Sequence, residues 1–219
     1  MIKKLKLQSI LKLVDSDILH TGLTNLARIL TGPVSMILIP LFLTKQMQGY
    51  WYSFASLSAL SIFADLGFTM IVAQFSAHEY AYLNLSNNRR IEGDDFYIGR
   101  ISSFFRFVLK WGIAAAIITF PIIFIAGYYL LKVEVTEFNW VLPWVIFLVA
   151  SGILFVLNII NAFFEGCDQI AKSQQIAFIS ILISFIVIVV VLVCGFNLYA
   201  IALGTLAQAI VRSFLIYRK

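Results

Sequence analysis

Two ionisable side chains lie inside long apolar segments of this sequence, where they could bind a charged ligand. Arg28 interrupts the apolar run that starts near residue 21, and Asp65 interrupts the next run. A charge in hydrocarbon is costly unless it faces a partner or a wet cavity, so such residues commonly mark a substrate or ion path. We predict that Arg28 and Asp65 belong to a binding or gating site, with a purely stabilising ion pair as the alternative.

The composition predicts an integral membrane protein. The chain has 219 residues, of which 61% are hydrophobic and 12% are charged, and its mean hydropathy is +0.95. Soluble domains of this length are much less apolar. The net charge of +5 does not indicate nucleic-acid binding, because the basic residues are spread over short loops rather than gathered with aromatic residues on one face.

Six segments are long and apolar enough to cross a bilayer as helices, which takes about 20 residues each. They cover approximately 21–43, 51–76, 105–131, 140–164, 174–195 and 198–217. These runs do not alternate as membrane β-strands do. We therefore predict an all-α, polytopic membrane bundle of about six helices over residues 21–219. Residues 1–20 form a basic, amphipathic N-terminal segment that we expect to lie on the cytoplasmic surface of the membrane.

The positions of the basic residues predict the orientation of the bundle. If the N-terminus is inside, 13 of the 16 lysines and arginines lie on the cytoplasmic side, and only Lys45 and Lys132 lie outside. Cytoplasmic loops carry such an excess, so both termini are predicted to be cytoplasmic. Arg28 and Asp65 then lie roughly 10–15 Å from the inner boundary on antiparallel neighbouring helices, at a rise of about 1.5 Å per residue.

Further polar residues within the predicted spans are candidates for the same pathway. We assign Asn25 and Gln74, on the first and second predicted helices, to the substrate pathway with Arg28 and Asp65. Two polar stripes follow helical spacing and could line a cavity, namely Asn158, Asn161 and Glu165 in the fourth helix and Gln208 and Arg212 in the sixth. Interhelical hydrogen bonding explains these stripes equally well.

The sequence contains no motif that indicates an enzyme, a metal site or a cofactor. GxSxG, HExxH and P-loop patterns are absent. Cys167 and Cys194 form no CxxC pair and have no histidines at ligand spacing, so neither a disulfide framework nor a zinc site is expected. His20 and His78 lie at predicted membrane ends, where interfacial polar side chains are common. We predict a protein without catalytic activity, metal or cofactor.

Residues 39–80, IPLFLTKQMQGYWYSFASLSALSIFADLGFTMIVAQFSAHEY, resemble the N-terminal part of polysaccharide and O-antigen flippases of the multidrug/oligosaccharidyl-lipid/polysaccharide exporter superfamily. Those proteins typically show a proline before a short external loop, a Gly-Tyr after it, and then a helix with an acidic Leu-Gly element. Here these are Pro40, Gly49-Tyr50 and Asp65-Leu66-Gly67. Such carriers usually have about twice as many helices, so the chain resembles their N-terminal half.

The resemblance implies a carrier that moves a polyprenyl-diphosphate-linked oligosaccharide across a bacterial inner (plasma) membrane, for the biosynthesis of O-antigen, lipopolysaccharide or another cell-surface polysaccharide. Arg28 would contact the diphosphate, and Asp65 would hold Arg28 or contribute to ion coupling. The implied partners are membrane lipid, a C-terminal half or second subunit, polysaccharide polymerase and glycosyltransferases, without nucleic acid.

Two other functions compete with the flippase interpretation. A cation-coupled multidrug extrusion protein would use Asp65 to bind a proton or a sodium ion. A non-transporting membrane scaffold or remnant would instead assemble with the enzymes of polysaccharide synthesis and move no lipid.

Overall fold

The computed structural model describes residues 2–85, 91–132 and 138–218, with side chains at 17–83, 92–132 and 138–218. The helices are α1 Ile2–Phe42, α2 Lys45–Ala59, α3 Ile62–Asp65, α4 Phe68–Tyr80, α5 Asp95–Leu131, α6 Val141–Gly166, α7 Ile170–Val193 and α8 Tyr199–Tyr217. Five helices in this described part are long and apolar enough to cross a membrane, and α2–α4 together, bent by 47°, form either a sixth, broken span or a re-entrant loop. The predicted all-α membrane bundle is confirmed.

Two helices extend beyond the apolar segments that predicted them. α1 continues without interruption through the expected boundary at residue 20. α5 begins at Asp95, about ten residues before the predicted span, because the Asp94 carboxylate accepts a hydrogen bond from the Phe96 amide at 2.9 Å and caps the helix. Hydropathy marks the membrane-embedded part of such a helix, whereas capping residues mark where the helix begins.

A short β-hairpin joins α4 to α5. Strand β1, Leu83–Leu85, pairs antiparallel with strand β2, Ile91–Gly93, and Leu83 lies opposite Gly93. With three residues in each strand, the hairpin leaves the all-α class of the bundle unchanged.

Small residues allow close packing of neighbouring helices in the bundle. The Phe120 ring of α5 lies against Gly152 of α6, and the Trp144 ring lies so close to Gly127 that an added β-carbon would overlap it. A β-carbon on Gly166 would likewise overlap the carbonyl oxygen of Ala73 in α4. Helices in lipid associate through such close van der Waals packing. Pairing of residues 120 with 152 and 127 with 144 also shows that α5 and α6 run antiparallel.

α1 lies against the bundle mainly through α7. The Asp17 carboxylate accepts a hydrogen bond from the Ala171 amide at 2.9 Å, and the Thr24 hydroxyl donates to the Gln174 carbonyl at 3.0 Å. Asp17 thereby satisfies a free amide in the first turn of α7. α4 packs on α6, and residues of α1 and α3 line one cavity.

Candidate functional site

The second membrane span is broken at Asp65-Leu66-Gly67, which corrects the single continuous helix predicted over residues 51–76. Leu66 and Gly67 have φ angles of 44° and 79°, in the left-handed region that glycine adopts readily and leucine rarely. Oδ1 of Asp65 accepts hydrogen bonds from the Thr69 amide at 3.2 Å and from the Thr69 hydroxyl. Asp65 therefore satisfies a free amide at the start of α4, as helix-capping side chains do.

A cavity of about 620 Å³, which we call cavity 1, lies between α1 and α3 on one side and α6, α7 and α8 on the other. Its polar lining residues are Arg28, Ser61, Asp65, Thr69, Asn158, Asn161, Glu165, Gln174 and Arg212. Its volume is within the range of about 300–1,000 Å³ that is common for ligand sites. Charged and amide side chains from separate predicted spans therefore meet in one cavity.

A second cavity of about 460 Å³, cavity 2, adjoins cavity 1. Its polar lining residues are Arg28, Thr31, Ser35, Asn158, Ser184, Gln208 and Arg212. Arg28, Asn158 and Arg212 line both cavities and so form the boundary between them. Two arginines that share such a boundary can bind one anionic group from two directions.

Arg212 is the most deeply buried charge at this boundary, with 7% of its surface exposed. Its Nη1 donates to Oδ1 of Asn158 at 2.7 Å, which joins α8 to α6. Its buried Nε has no hydrogen-bond partner among the described residues. A buried guanidinium with an unused donor is well suited to a ligand that supplies acceptor oxygens.

Glu165 places a carboxylate at the other end of cavity 1. Its Oε1 accepts hydrogen bonds from the Ser173 hydroxyl and the Gln174 side-chain amide, each at 3.0 Å. These bonds span the turn between α6 and α7 and hold the carboxylate in place. Asn161, one helical turn away and 6% exposed, also lines cavity 1, and its Oδ1 has no partner in the described part of the chain.

The structure brings Arg28 and Asp65 to the same cavity but does not pair them. The ion pairs among the described side chains join Glu79 to Arg100 and to His78. Arg28 stands on the α1 wall of cavity 1, and Asp65 stands on the α3 wall, held by Thr69. A purely stabilising ion pair within the chain is therefore not what the structure shows.

The predicted pathway residues divide into two groups by position. Asn158, Asn161 and Arg212 line cavity 1, and Gln208 lines cavity 2. Asn25 on α1 and Gln74 on α4 are exposed and line neither cavity. Asn25 lies three residues before Arg28 on α1, yet only Arg28 reaches the cavities.

Several cavity residues were not singled out in the sequence. They are the small hydroxyl residues Thr31, Ser35, Ser61, Thr69 and Ser184, together with Gln174. Thr69 follows Asp65 by four residues, a spacing that would have connected them in a continuous helix. For the others, a serine or threonine in a membrane helix carries no signal by itself, because such residues are common in helix packing.

A separate charged pair lies at the end of α4, outside both cavities. Glu79 is 1% exposed, and its Oε1 lies 2.9 Å from Nη2 of Arg100 on α5. Arg100 is about half exposed, with 45% of its side chain accessible, so the pair links the buried side of α4 to the surface. Both residues lie in or next to a polar stretch of the sequence, which does not predict a buried carboxylate.

The geometry of the bundle and its two cavities places the chain among helical, multi-pass membrane proteins. No protein-family model, curated protein or solved structure matches it. What the protein does must therefore be argued from its own side chains. The arrangement can hold an anion at the Arg28–Arg212 boundary. Near Asp65 and Glu165 it can accept hydrogen bonds from donor groups of a ligand.

Proposed function

We propose that this chain is one lobe of a carrier that moves a lipid-linked oligosaccharide with an anionic diphosphate across a membrane. The observation that supports the proposal best is the boundary between the two cavities. Two guanidinium groups, those of Arg28 and Arg212, lie there inside an apolar helical bundle. Asn158 lines both cavities with them.

The chemistry of the boundary favours phosphate. A guanidinium has a planar fork of donors that matches phosphate oxygens, and it keeps its charge when buried. Arg212 uses Nη1 to bind Asn158 and leaves Nε without a protein partner among the described residues. A diphosphate bound between two guanidinium groups would offset the free-energy cost of holding these cations within the membrane.

The exposed surface beside cavity 1 suits a ligand that carries a lipid tail. α1 presents Leu26 and Ile29 next to Arg28, and α3 presents Ile62 and Phe63 next to Asp65, all more than half exposed. A ligand that enters between α1 and α3 could leave its tail against these apolar side chains while its diphosphate reaches the arginines. This lateral route distinguishes a lipid-linked substrate from a soluble one.

A second lobe would complete the site in this proposal. Arg28 and Asn158 are exposed although they line the cavities, and polar groups at membrane depth normally face protein or water rather than lipid. A C-terminal half or a second subunit would supply the missing wall. Polysaccharide polymerase and glycosyltransferases are the partners expected to use the translocated product.

The cation-coupled extrusion alternative is less well supported by the same cavities. Cavity 2 contains two arginines and no acidic residue in its lining. In cavity 1, the Oδ1 atom of Asp65 and the Oε1 atom of Glu165 already accept protein hydrogen bonds. A cationic drug would therefore meet two guanidinium groups at the centre of the site, where like charges repel.

Ligand binding by the purified chain in lipid nanodiscs tests the proposal. The probes are a polyprenyl-diphosphate disaccharide and the same disaccharide on an uncharged polyprenyl ether. We expect the diphosphate ligand to bind at least about tenfold more tightly, and Arg212→Gln to weaken it by about 10–100-fold, as loss of a charge-assisted hydrogen bond predicts. Arg106→Gln is the matched control, because Arg106 is exposed on α5 and lines neither cavity.

Equal binding of the two probes would contradict the proposal, as would full affinity in Arg28→Gln and Arg212→Gln. Transport is then measured in liposomes with the chain alone and with a candidate second lobe. Strong binding without transport by the isolated chain is the result that the one-lobe proposal predicts.

A further inference from the structure

The charges that line the two cavities are unequally distributed. Cavity 2 is lined by Arg28 and Arg212 with hydroxyl and amide side chains, and none of its lining residues is acidic. Cavity 1 shares the two arginines and adds the carboxylates of Asp65 and Glu165. The combined site is therefore basic at one end and acidic at the other.

The two cavities extend to different depths along the helices. Ser35 and Ile188 line cavity 2, and each lies about 27 Å from the start of its membrane span, which is Asp17 for α1 and Ile170 for α7, at a rise of about 1.5 Å per residue. Glu165 and Gln174 line cavity 1 close to the ends of their helices, Gln174 only about 6 Å from Ile170 on the same basis. Cavity 2 therefore extends deeper into the bundle, and the part of cavity 1 beside Glu165 is nearer to one membrane surface.

Cavity 1 extends beyond the two arginines to the carboxylates, so it has room for the group that follows the diphosphate in the proposed ligand. A lipid-linked oligosaccharide carries its diphosphate between an apolar tail and a sugar that faces water. With the diphosphate at the arginines, the sugar occupies the part of cavity 1 that contains Asp65, Asn161 and Glu165.

The free polar atoms in that part of cavity 1 are hydrogen-bond acceptors. Oδ1 of Asn161 is buried and has no donor among the described residues. Asp65 and Glu165 use Oδ1 and Oε1 for protein hydrogen bonds, and no described hydrogen bond reaches their second carboxylate oxygens. A buried acceptor without a donor is costly, so a ligand that fits here must supply O–H or N–H groups.

We propose that the acidic end of cavity 1, formed by Asp65, Asn161 and Glu165, is a sugar subsite that selects uncharged, hydroxyl-rich sugars and rejects sugars that carry a carboxylate. Sugar hydroxyls donate to the three acceptors. A sugar carboxylate would face two fixed carboxylates, and the nearby guanidinium groups of Arg28 and Arg212 are already engaged by the diphosphate. This inference rests on the proposed function and adds the class of sugar.

Three ligands with the same polyprenyl diphosphate test the subsite by equilibrium binding to the chain in nanodiscs. One carries no sugar, one carries a neutral disaccharide, and one carries the same disaccharide with its terminal C6 oxidised to a carboxylate. We expect the neutral disaccharide to bind at least about tenfold more tightly than the oxidised one, since like charges placed together are strongly unfavourable. The sugar-free ligand measures binding of the diphosphate alone.

Variants that remove one charge then test which residues produce the preference for the neutral sugar. Glu165→Gln keeps an oxygen for Ser173 and removes the charge, so the preference for the neutral sugar should fall to within about threefold. Asp65→Asn provides a second variant that keeps an acceptor for Thr69. Glu92→Gln, on the exposed hairpin strand and outside both cavities, should leave the preference unchanged.

The outcomes separate the subsite from the proposed function. If all diphosphate ligands bind but the neutral and oxidised sugars bind equally, the sugar subsite is wrong and the diphosphate site stands. An unchanged preference in both Glu165→Gln and Asp65→Asn also overturns the subsite. If no diphosphate ligand binds, the proposed function is wrong and the subsite falls with it.

Discussion

Arg212 on α8 and Asn158 on α6 are joined by a hydrogen bond of 2.7 Å at the boundary of the two cavities. The bond fixes one nitrogen of a buried guanidinium and leaves another directed elsewhere without a described protein acceptor. This contact connects the packing of two helices to the charge available for a ligand, and it can be tested separately from transport.

Asn158→Ala should destabilise the protein. It removes the only described hydrogen-bond acceptor of the Arg212 guanidinium, and a hydrogen bond to a charged group contributes about 1.5–3 kcal/mol. Chemical unfolding in detergent micelles measures the change in the free energy of unfolding. Asn25→Ala is the control, since Asn25 is exposed and lines neither cavity. Equal stabilities of the two variants would contradict a structural role for the pair.

The helix break at Asp65 should depend on the capping bond rather than on the charge. Asp65→Ala leaves the Thr69 amide without its acceptor, and loss of a capping side chain costs about 0.5–2 kcal/mol. Asp65→Asn keeps an acceptor oxygen and should cost less than half as much. The same unfolding measurement compares both variants with Gln74→Ala, which changes an exposed residue on the neighbouring helix. An equal loss in the two variants would show that the charge matters more than the cap.

The pair between buried Glu79 and half-exposed Arg100 should be sensitive to which partner is removed. Arg100→Gln leaves a carboxylate that is 1% exposed with only the exposed His78 ring, at 3.6 Å, as a described basic neighbour, whereas Glu79→Gln removes the buried charge itself. Breaking a buried pair by removing one partner is more costly than neutralising it. We expect Arg100→Gln to be the less stable variant by at least about 1 kcal/mol, and Glu79→Gln in that background to recover part of the loss. The reverse order of stabilities would contradict the pair's assigned role.

The two cysteines should differ in their reaction with a membrane-impermeant maleimide. Cys194 is exposed in the link between α7 and α8, on the side that the basic-residue pattern predicts to be external. Cys167 is buried just after α6, and burial raises the pKa of its thiol to about 12. Because the thiolate is the reactive form, Cys167 should stay unlabelled at pH 7–9.

Intact cells that make the protein provide the measurement. Labelling of the wild type and its loss in Cys194→Ser are expected, whereas Cys167→Ser should label normally. Labelling only after the cells are opened would reverse the predicted orientation.

The raised pKa of the Cys167 thiol has a further consequence for stability. The Cys167 thiol ionises more readily in the unfolded chain, so its contribution favours the folded state below about pH 9 and declines as the pH rises towards 12.

The sequence predicted which segments lie within the membrane better than it predicted which face of a helix meets the site. Periodicity predicted Asn158, Asn161 and Glu165 as one possible cavity-lining stripe and Gln208 and Arg212 as another, because residues three or four apart share a helix face. Asn25 and Gln74 were assigned by residue type alone, and both are exposed outside the cavities. Which face of a helix meets the site depends on how that helix is rotated against its neighbours.

By itself, the sequence determined that this protein is a bundle of membrane helices, because about 20 consecutive apolar residues have few alternatives to a spanning helix. It also identified Arg28 and Asp65 as costly intramembrane charges, whereas it counted Arg212, which the structure buries in the bundle, among the cytoplasmic basic residues. Only the tertiary structure decided that these charges share one cavity, that Asp65 caps a broken helix, and that Glu165 completes an acidic end. Those outcomes depend on contacts between helices far apart in sequence, and the backbone turn at Leu66 and Gly67 depends on φ angles that hydropathy does not encode.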